Sequence, residues 1–470
     1  MNLIDKIFRF KLLEDSVYFK IVFLLWTLIH ALSLGQYVTS YGSPIIIAWG
    51  GLLVIKTLFI DKGILTNKYL ILVYAFLAAY VVTIFLNRDL NFLGNTKTLI
   101  WSVIMMIALF VNDYSKDKEK VMSDIFRISR AVIIATLIIS GIALLQFFFN
   151  FNFWVRRVDG PLIPQGYYAA RLWGMYVDPN QACNVAIISI ALSVVLYINN
   201  KLLNRVIVTI NIIVQYLFIV LSGSRGGEIG LVFMLIGIFY IFIENLAKEK
   251  IKKLELRVLT SLFVAFIFTF GLISTFGITR KTLAIIPSYT YRLKQNIDDM
   301  SGVDKGKDNE KENEYNSITV DRPDANSSNG RIQLWTDGFK LSKNAPIFGV
   351  GDRNIMVMAD KLMPGSSITK QYVHNGFLHM LLSGGIVSVV IIMSLITIVA
   401  FVAWKKIIYK EKRNKEYYSY SIITIMIGSI LLTTVFLTEI FYQNSFTATI
   451  FWIFMGYLIY LNKNENFTCK

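Results

Sequence analysis

A chain of 470 residues in which 55% are hydrophobic and only 17% are charged is too apolar to stay in solution as a globular domain, and composition selects a multi-span membrane protein. The formal net charge of +16 reads as topological, because basic residues collect in short cytoplasmic loops. It predicts attraction to an anionic inner leaflet and gives no reason to invoke nucleic acid.

Apolar runs approaching the roughly 20 residues that cross about 30 Å of hydrocarbon fall near 17–35, 43–60, 69–86, 98–111, 131–151, 182–199, 205–222, 228–245, 257–277, 377–403, 419–440 and 444–461. They predict an all-α polytopic membrane fold of about 12 transmembrane helices. With the N-terminus inside, segments 1–16, 61–68, 112–130, 200–205, 246–257, 404–417 and 462–470 hold over half of the 47 basic residues, so both termini are expected in the cytoplasm. The first run lacks a cleavage pattern and reads as an uncleaved span. Cys183 and Cys469 are expected on opposite sides of the bilayer, and no metal-ligand spacing occurs. The organisation expected is 1–277 as transmembrane helices 1–9, 278–376 as a large external loop between spans 9 and 10, and 377–470 as transmembrane helices 10–12 with a cytoplasmic tail.

Within the loop, residues 280–296 mix apolar and basic side chains, whereas 297–329 bury too little to order themselves. A helix is expected after Ser328-Asn329-Gly330, with Ile332, Trp335 and Phe339 at i, i+3 and i+7 marking an apolar face that lies along the membrane. The stretch Pro346-Ile347-Phe348-Gly349-Val350-Gly351 reads as a turn and RNIMVMADKLM as a second short helix. The whole is expected to roof the ends of spans 5 to 10.

Three polar segments on the outer face carry the chemistry. Arg225, in Ser222-Gly223-Ser224-Arg225-Gly226-Gly227, is a permanent cation at the interface whose planar fork matches phosphate oxygens, and its flanking glycines permit close approach. The alternative is an arginine that snorkels to lipid headgroups. Arg331 opens the Trp335 helix at the end a cation does not favour. A phosphate held between its guanidinium and the helix amides would explain that placement; an exposed arginine on a solvated face is the alternative. His374, followed by Asn375, can take a proton from a sugar hydroxyl, or can merely orient the start of a span. The segment 152–181 surrounds Arg156, Arg157 and Arg171 with aromatic residues, a surface suited to a sugar or to an interfacial belt. Asp178-Pro179-Asn180 reads as the cap of span 6. His30 reads as structural, and Lys20 and Glu228 as charges near enough to an interface to reach water; Glu439 is the acid placed best for a pocket.

These external segments resemble the O-antigen ligase and lipid-linked repeat-unit polymerase superfamily. The match rests on Arg171-x-x-Gly174 with Pro179-Asn180, on Ser224-Arg225-Gly226, on Arg331 with Trp335, Pro346, Gly349 and Gly351, and on His374-Asn375 with Gly385. The resemblance implies a GT-C-like arrangement and a metal-independent, inverting glycosyl transfer from an undecaprenyl-pyrophosphate-linked oligosaccharide, with no cofactor. Carried onto this chain, Arg225 and Arg331 would hold the pyrophosphate and His374 would act on the acceptor hydroxyl. Arg157, Arg171, Asn180, Trp335 and Asn375 would bind substrate. The two guanidinium groups and the imidazole are expected to converge in one outer-leaflet pocket. The setting implied is the plasma (inner) membrane with the active site on the external or periplasmic face; membrane lipid and a chain-length regulator are the further partners.

Within the superfamily, ligases show a longer pattern ending Gly-x-x-Gly, and here Gly385 is followed by Ile386, Val387 and then Ser388. That departure points to a polymerase of capsule, exopolysaccharide or O-antigen rather than an O-antigen ligase acting on lipid A core. A polysaccharide flippase or transporter is the rival of another class. Such proteins pair two halves with Gly- or Pro-broken spans, whereas the polar residues here gather at one face.

Overall fold

The computed structural model describes residues 11–61, 70–111, 116–158, 160–199, 202–287, 289–290, 330–409, 413–438 and 440–461. The expected mobile stretch 297–329, the pocket acid Glu439 and the tail Cys469 lie outside them. The twelve predicted apolar runs all fall on helices: α1 Ser16–His30, α2 Gly35–Ile55, α3 Leu70–Leu86, α4 Phe92–Val103, α5 Lys118–Phe148, α6 Pro179–Asn199, α7 Leu202–Ser222, α8 Arg225–Ala247, α9 Leu254–Ser274, and, after the short α10 Phe276–Leu283, α11 Arg331–Ser342 and α12 Ile355–Leu362, the helices α13 Gly376–Tyr409, α14 Lys415–Thr433 and α15 Phe446–Tyr460. Wider turns extend α2 over Lys56–Ile60 and α4 over Ile104–Val111. Eight helices among the described residues are long and apolar enough to cross a membrane, and α1, α3 and α15 are shorter apolar helices. The protein is an all-α polytopic membrane protein. The chain divides into two compact units, one of residues 1–28, 39–131 and 328–470 and one of 29–38 and 132–327.

The second unit contains what the sequence does not announce. Within 152–181, read as an aromatic loop, lies an antiparallel sheet of β1 Phe153–Arg156, β2 Leu162–Tyr168 and β3 Arg171–Gly174. The β2–β3 connection has Ala169 at φ 49° and Ala170 at φ 57°. A two-residue hairpin needs left-handed φ at both central positions, usually from Asn-Gly, so two alanines leave no turn signal. The strain fixes the start of β3 and with it Arg171. Gln165 of β2 donates from Nε2 to Ser33 Oγ at 2.7 Å. Deeper in the unit, α5, α6 and α7 are joined by a buried polar ladder. Thr136 meets Ser189 at 2.7 Å, Asn211 donates to Ser189 and Ser193 at 2.9 and 2.8 Å, Gln215 donates to Asn211 at 3.0 Å, and Ser140 donates to Gln215 at 2.9 Å. Interhelical bonds of this kind contribute about 0.6–2 kcal/mol each in a membrane. Arg257 and Glu244, 2.7 Å apart, tie α9 to α8.

In the first unit α15 is buried on all sides, as expected of a helix apolar around its whole circumference. Lys20, expected to reach water, is instead fully buried, with its ammonium 3.4 Å from Tyr457 Oη and 4.5 Å from the ring centre. That cation is stabilised by an aromatic face in place of solvent.

The membrane helix α13 is broken at Gly385, where φ is 67° and ψ is −172°. A break inside a span leaves amides and carbonyls that lipid cannot satisfy. Here the Pro346–Gly351 turn fills the gap. Val350 N–H donates to Leu382 O at 2.8 Å, Gly351 N–H to Ser383 O at 3.0 Å, Ile386 N–H to Pro346 O at 2.9 Å and Val387 N–H to Ile347 O at 3.3 Å. Thr83 of α3 donates to Phe348 O at 2.5 Å, and Asn87, just past the end of α3, donates to Gly349 O at 3.2 Å. The turn is therefore set among spans 3 and 10.

Candidate active site

The sequence-predicted residues fall in two arrays, one in each unit. In the second unit, Arg171 begins β3, Asn180 lies in the first turn of α6, and Arg225 is the first residue of α8. Pro179 starts α6, as its fixed φ favours, and Asp178 Oδ1 accepts from Asn180 N and Nδ2 at 2.9 and 3.0 Å. Asn180 Oδ1 in turn accepts from Arg171 Nη2 at 2.7 Å and from Ser224 Oγ at 2.9 Å. Ser224 caps α8, accepting from Gly227 N at 3.2 Å. Arg225 is thus held, half-buried, at a helix N-terminus where amides and dipole already favour an anion.

Not all of the expected roles match these contacts. Arg171 Nε donates to Ser222 O at 3.0 Å, and Arg280 donates to Val220 O from Nε and Nη2 at 3.1 and 2.7 Å. Two guanidinium groups therefore satisfy the last carbonyls of α7, which is where cations complement a helix dipole. Of the glycines expected to admit a phosphate, Gly227 serves packing: a Cβ there would meet Cys183 Sγ at 2.2 Å. Arg157 closes the β1–β2 turn, its N–H donating to Pro161 O at 2.9 Å, and its charge bears on His30 at the end of α1.

In the first unit, Gly330 at φ 70° precedes α11, and the Arg331 guanidinium lies over Phe436, 5.9 Å from the ring centre. One turn on, Trp335 Nε1 donates to Val373 O at 3.0 Å, which places α11 beside His374. Asn375 Oδ1 accepts from Phe377 N and Leu378 N at 3.1 and 3.0 Å and so caps α13, while Gly376 N–H donates to Thr434 O at 2.7 Å. His374 itself has φ 48°, a conformation uncommon outside glycine though enriched in histidine and asparagine. The structure therefore brings Arg331, Trp335, His374 and Asn375 into one cluster. The face of α11 that meets the protein is Leu334, Gly338 and Leu341, packed with Val373, Leu378 and Leu382. Of the expected apolar face, Trp335 is partly buried against this cluster, while Ile332 and Phe339 are 67% and 56% exposed, as a helix lying on lipid would have them.

Two further residues were given no role from the sequence. Asp352 and His379 are buried together, His379 Nε2 standing 2.9 Å from Asp352 Oδ1. Thr98 Oγ1 donates to Asp352 Oδ2 at 3.0 Å and Gln443 Nε2 to Asp352 Oδ1 at 3.1 Å. Burial, and next the charge of Asp352, pushes the Tyr372 phenol above its usual pKa. The available signal was an acid just after the two glycines and a histidine inside an apolar run, each too costly to bury alone. No group of three or more His, Cys, Asp or Glu among the described residues is placed to hold a metal ion.

Residues 210–393 match the family model described as O-antigen ligase, a stretch that begins in α7 and ends in α13. No curated protein matches the chain.

Proposed function

We propose, from the match of residues 210–393 to the O-antigen ligase family model, that the chain is a polymerase of the O-antigen ligase and polymerase superfamily. It would transfer a glycan from undecaprenyl pyrophosphate to the terminal sugar of another lipid-linked repeat. At the coarser level it is a multi-pass membrane protein of polysaccharide synthesis. The observation that carries the finer reading is the cluster on α11 and the start of α13, where Trp335 bonds the backbone next to His374 and Arg331 lies one turn away.

In this reading Arg331 contacts the pyrophosphate and offsets the charge that develops as it leaves, and Arg225, at the N-terminus of α8 in its own unit, is a phosphate-binding residue. Fixed cations aimed at developing charge are the expected main catalytic term. His374 accepts the proton of the acceptor hydroxyl as its oxygen bonds to the anomeric carbon. The bond from that carbon to the phosphate oxygen breaks, undecaprenyl pyrophosphate departs, and the anomeric configuration inverts. The site would lie on the external face of the plasma membrane, with Asn375 shaping it beside His374, and a chain-length regulator would set the product length.

Purified protein given only lipid-linked repeats is expected to make a ladder of longer glycans. A product formed only when lipid A core is added would establish the second reading, the ligase, which the description of the matching family favours. Ser388, where the ligase pattern has its last glycine, is buried and hydrogen-bonded to Tyr442 Oη at 2.9 Å. Arg225→Lys keeps the charge but loses the fork. Losing one charge-assisted hydrogen bond of about 1.5–3 kcal/mol should slow turnover by roughly ten- to a hundredfold. Unchanged turnover would identify Arg225 as an arginine that only snorkels to headgroups.

A further inference from the structure

The transfer chemistry above makes no use of the Asp352–His379 pair, yet it is the most deeply buried ionisable pair around the start of α13. The side chains of Asp352 and His379 are 0% and 1% exposed. Four donors from four places in the first unit converge on the carboxylate: Thr98 from α4, His379 from α13, Gln443 from the segment before α15, and Arg353, whose Nε is 3.1 Å away, from the turn itself. The neighbouring backbone is held as well. Asp352 N–H donates to Tyr80 Oη at 3.2 Å, and Arg353 N–H donates to Asn95 Oδ1 at 2.9 Å.

His379 connects this knot to the proposed acceptor site. Its N–H donates to Asn375 O at 2.8 Å, and the Tyr372 ring packs edge-on against its imidazole, 5.4 Å between centres. Its Nδ1 is buried with no hydrogen-bond partner among the described residues, so the ring's orientation depends on what meets Nε2, namely Asp352 Oδ1 at 2.9 Å and Gln443 Nε2 at 3.3 Å. Residues 372, 375 and 379 bracket His374, whose left-handed backbone persists only if its surroundings over-determine it. We propose that Asp352 and His379 act as one positioning unit, holding the Pro346–Asn354 segment against the first turns of α13 and so fixing His374 for proton transfer. The inference rests on the role given to His374 above.

The test compares Asp352→Asn, His379→Gln and the double variant as purified full-length protein. Each single change is expected to lower kcat at least about tenfold while KM for the lipid-linked repeat moves less than about twofold. The double variant should be no slower than the slower single, because residues that act as a unit are not additive. Backbone amides of 372–379 should exchange faster in both singles. Wild-type kcat in either single, losses that multiply in the double, or a KM that rises in step with the loss of rate would overturn the proposal. Should Asp352→Asn not fold, His379→Gln, which keeps an amide donor toward Asp352, carries the test. If the unaltered protein extends no glycan, it is the polymerase reading that fails. Amide exchange then still decides this one, since unchanged protection at 372–379 in the variants sinks it.

Discussion

His374→Ala is expected to stop glycan extension, with a loss in the range of 10²–10⁴-fold that a general acid–base group typically contributes. The bonds that anchor the backbone on either side of residue 374 are made by its neighbours. Trp335 bonds the carbonyl of Val373, Asn375 caps α13 with its own side chain, and Gly376 N–H reaches Thr434 O. Alanine is less at ease at φ 48° than histidine, which is enriched in that region, so a small backbone cost is added. A half-buried side chain away from the core should change stability by no more than about 0.5 kcal/mol, and the thermal midpoint should barely move. Polymer of full length from the variant would remove His374 from the reaction. A collapse of the thermal midpoint would show instead that the imidazole is structural.

Gly349→Ala carries the largest expected effect on stability. Gly349 sits at φ 69°, and a Cβ there would stand 2.6 Å from the backbone of Gly384 N, Gly385 N and Leu382 O, atoms that cannot swing aside. A left-handed alanine costs about 1–2 kcal/mol and overpacking adds about 1–3 kcal/mol. Against a typical total stability of about 5–15 kcal/mol, that sum is a large fraction. The turn would be driven out of the break in α13, leaving the amides of Ile386 and Val387 without their partners and loosening the segment that leads to Asp352. Gly365→Ala is the control. Its φ is 82° with nothing within 4 Å of the added carbon, so only the conformational cost applies. If unfolding in detergent shows Gly349→Ala no less stable than Gly365→Ala, the turn does not fill the break as described.

What could be read from the residues alone was what depends on neighbours along the chain. The long apolar runs predict spans because transfer to hydrocarbon is decided by local composition. Pro179 after Asp178 predicts the start of α6, and the pattern after Gly330 predicts α11, because caps and periodicity act within a turn or two. Trp335 is joined to Val373, the residue before His374, by a bond between positions 38 apart, which no local pattern contains. The small sheet stayed hidden because its tight turn is Ala169-Ala170, which carries left-handed strain without the residues that advertise it.

Only the tertiary structure decided which apolar face meets protein. Periodicity marks Ile332 and Phe339 as apolar, but lipid and protein interior accept such a face equally, and it is Leu334, Gly338 and Leu341 that pack inward. Nor does any local signal say that the break at Gly385 is filled by a turn from the segment before it, or that Asp352 is buried against His379. These features exist because a polar group removed from water must find its partner in space, and distance along the chain says nothing about where that partner is.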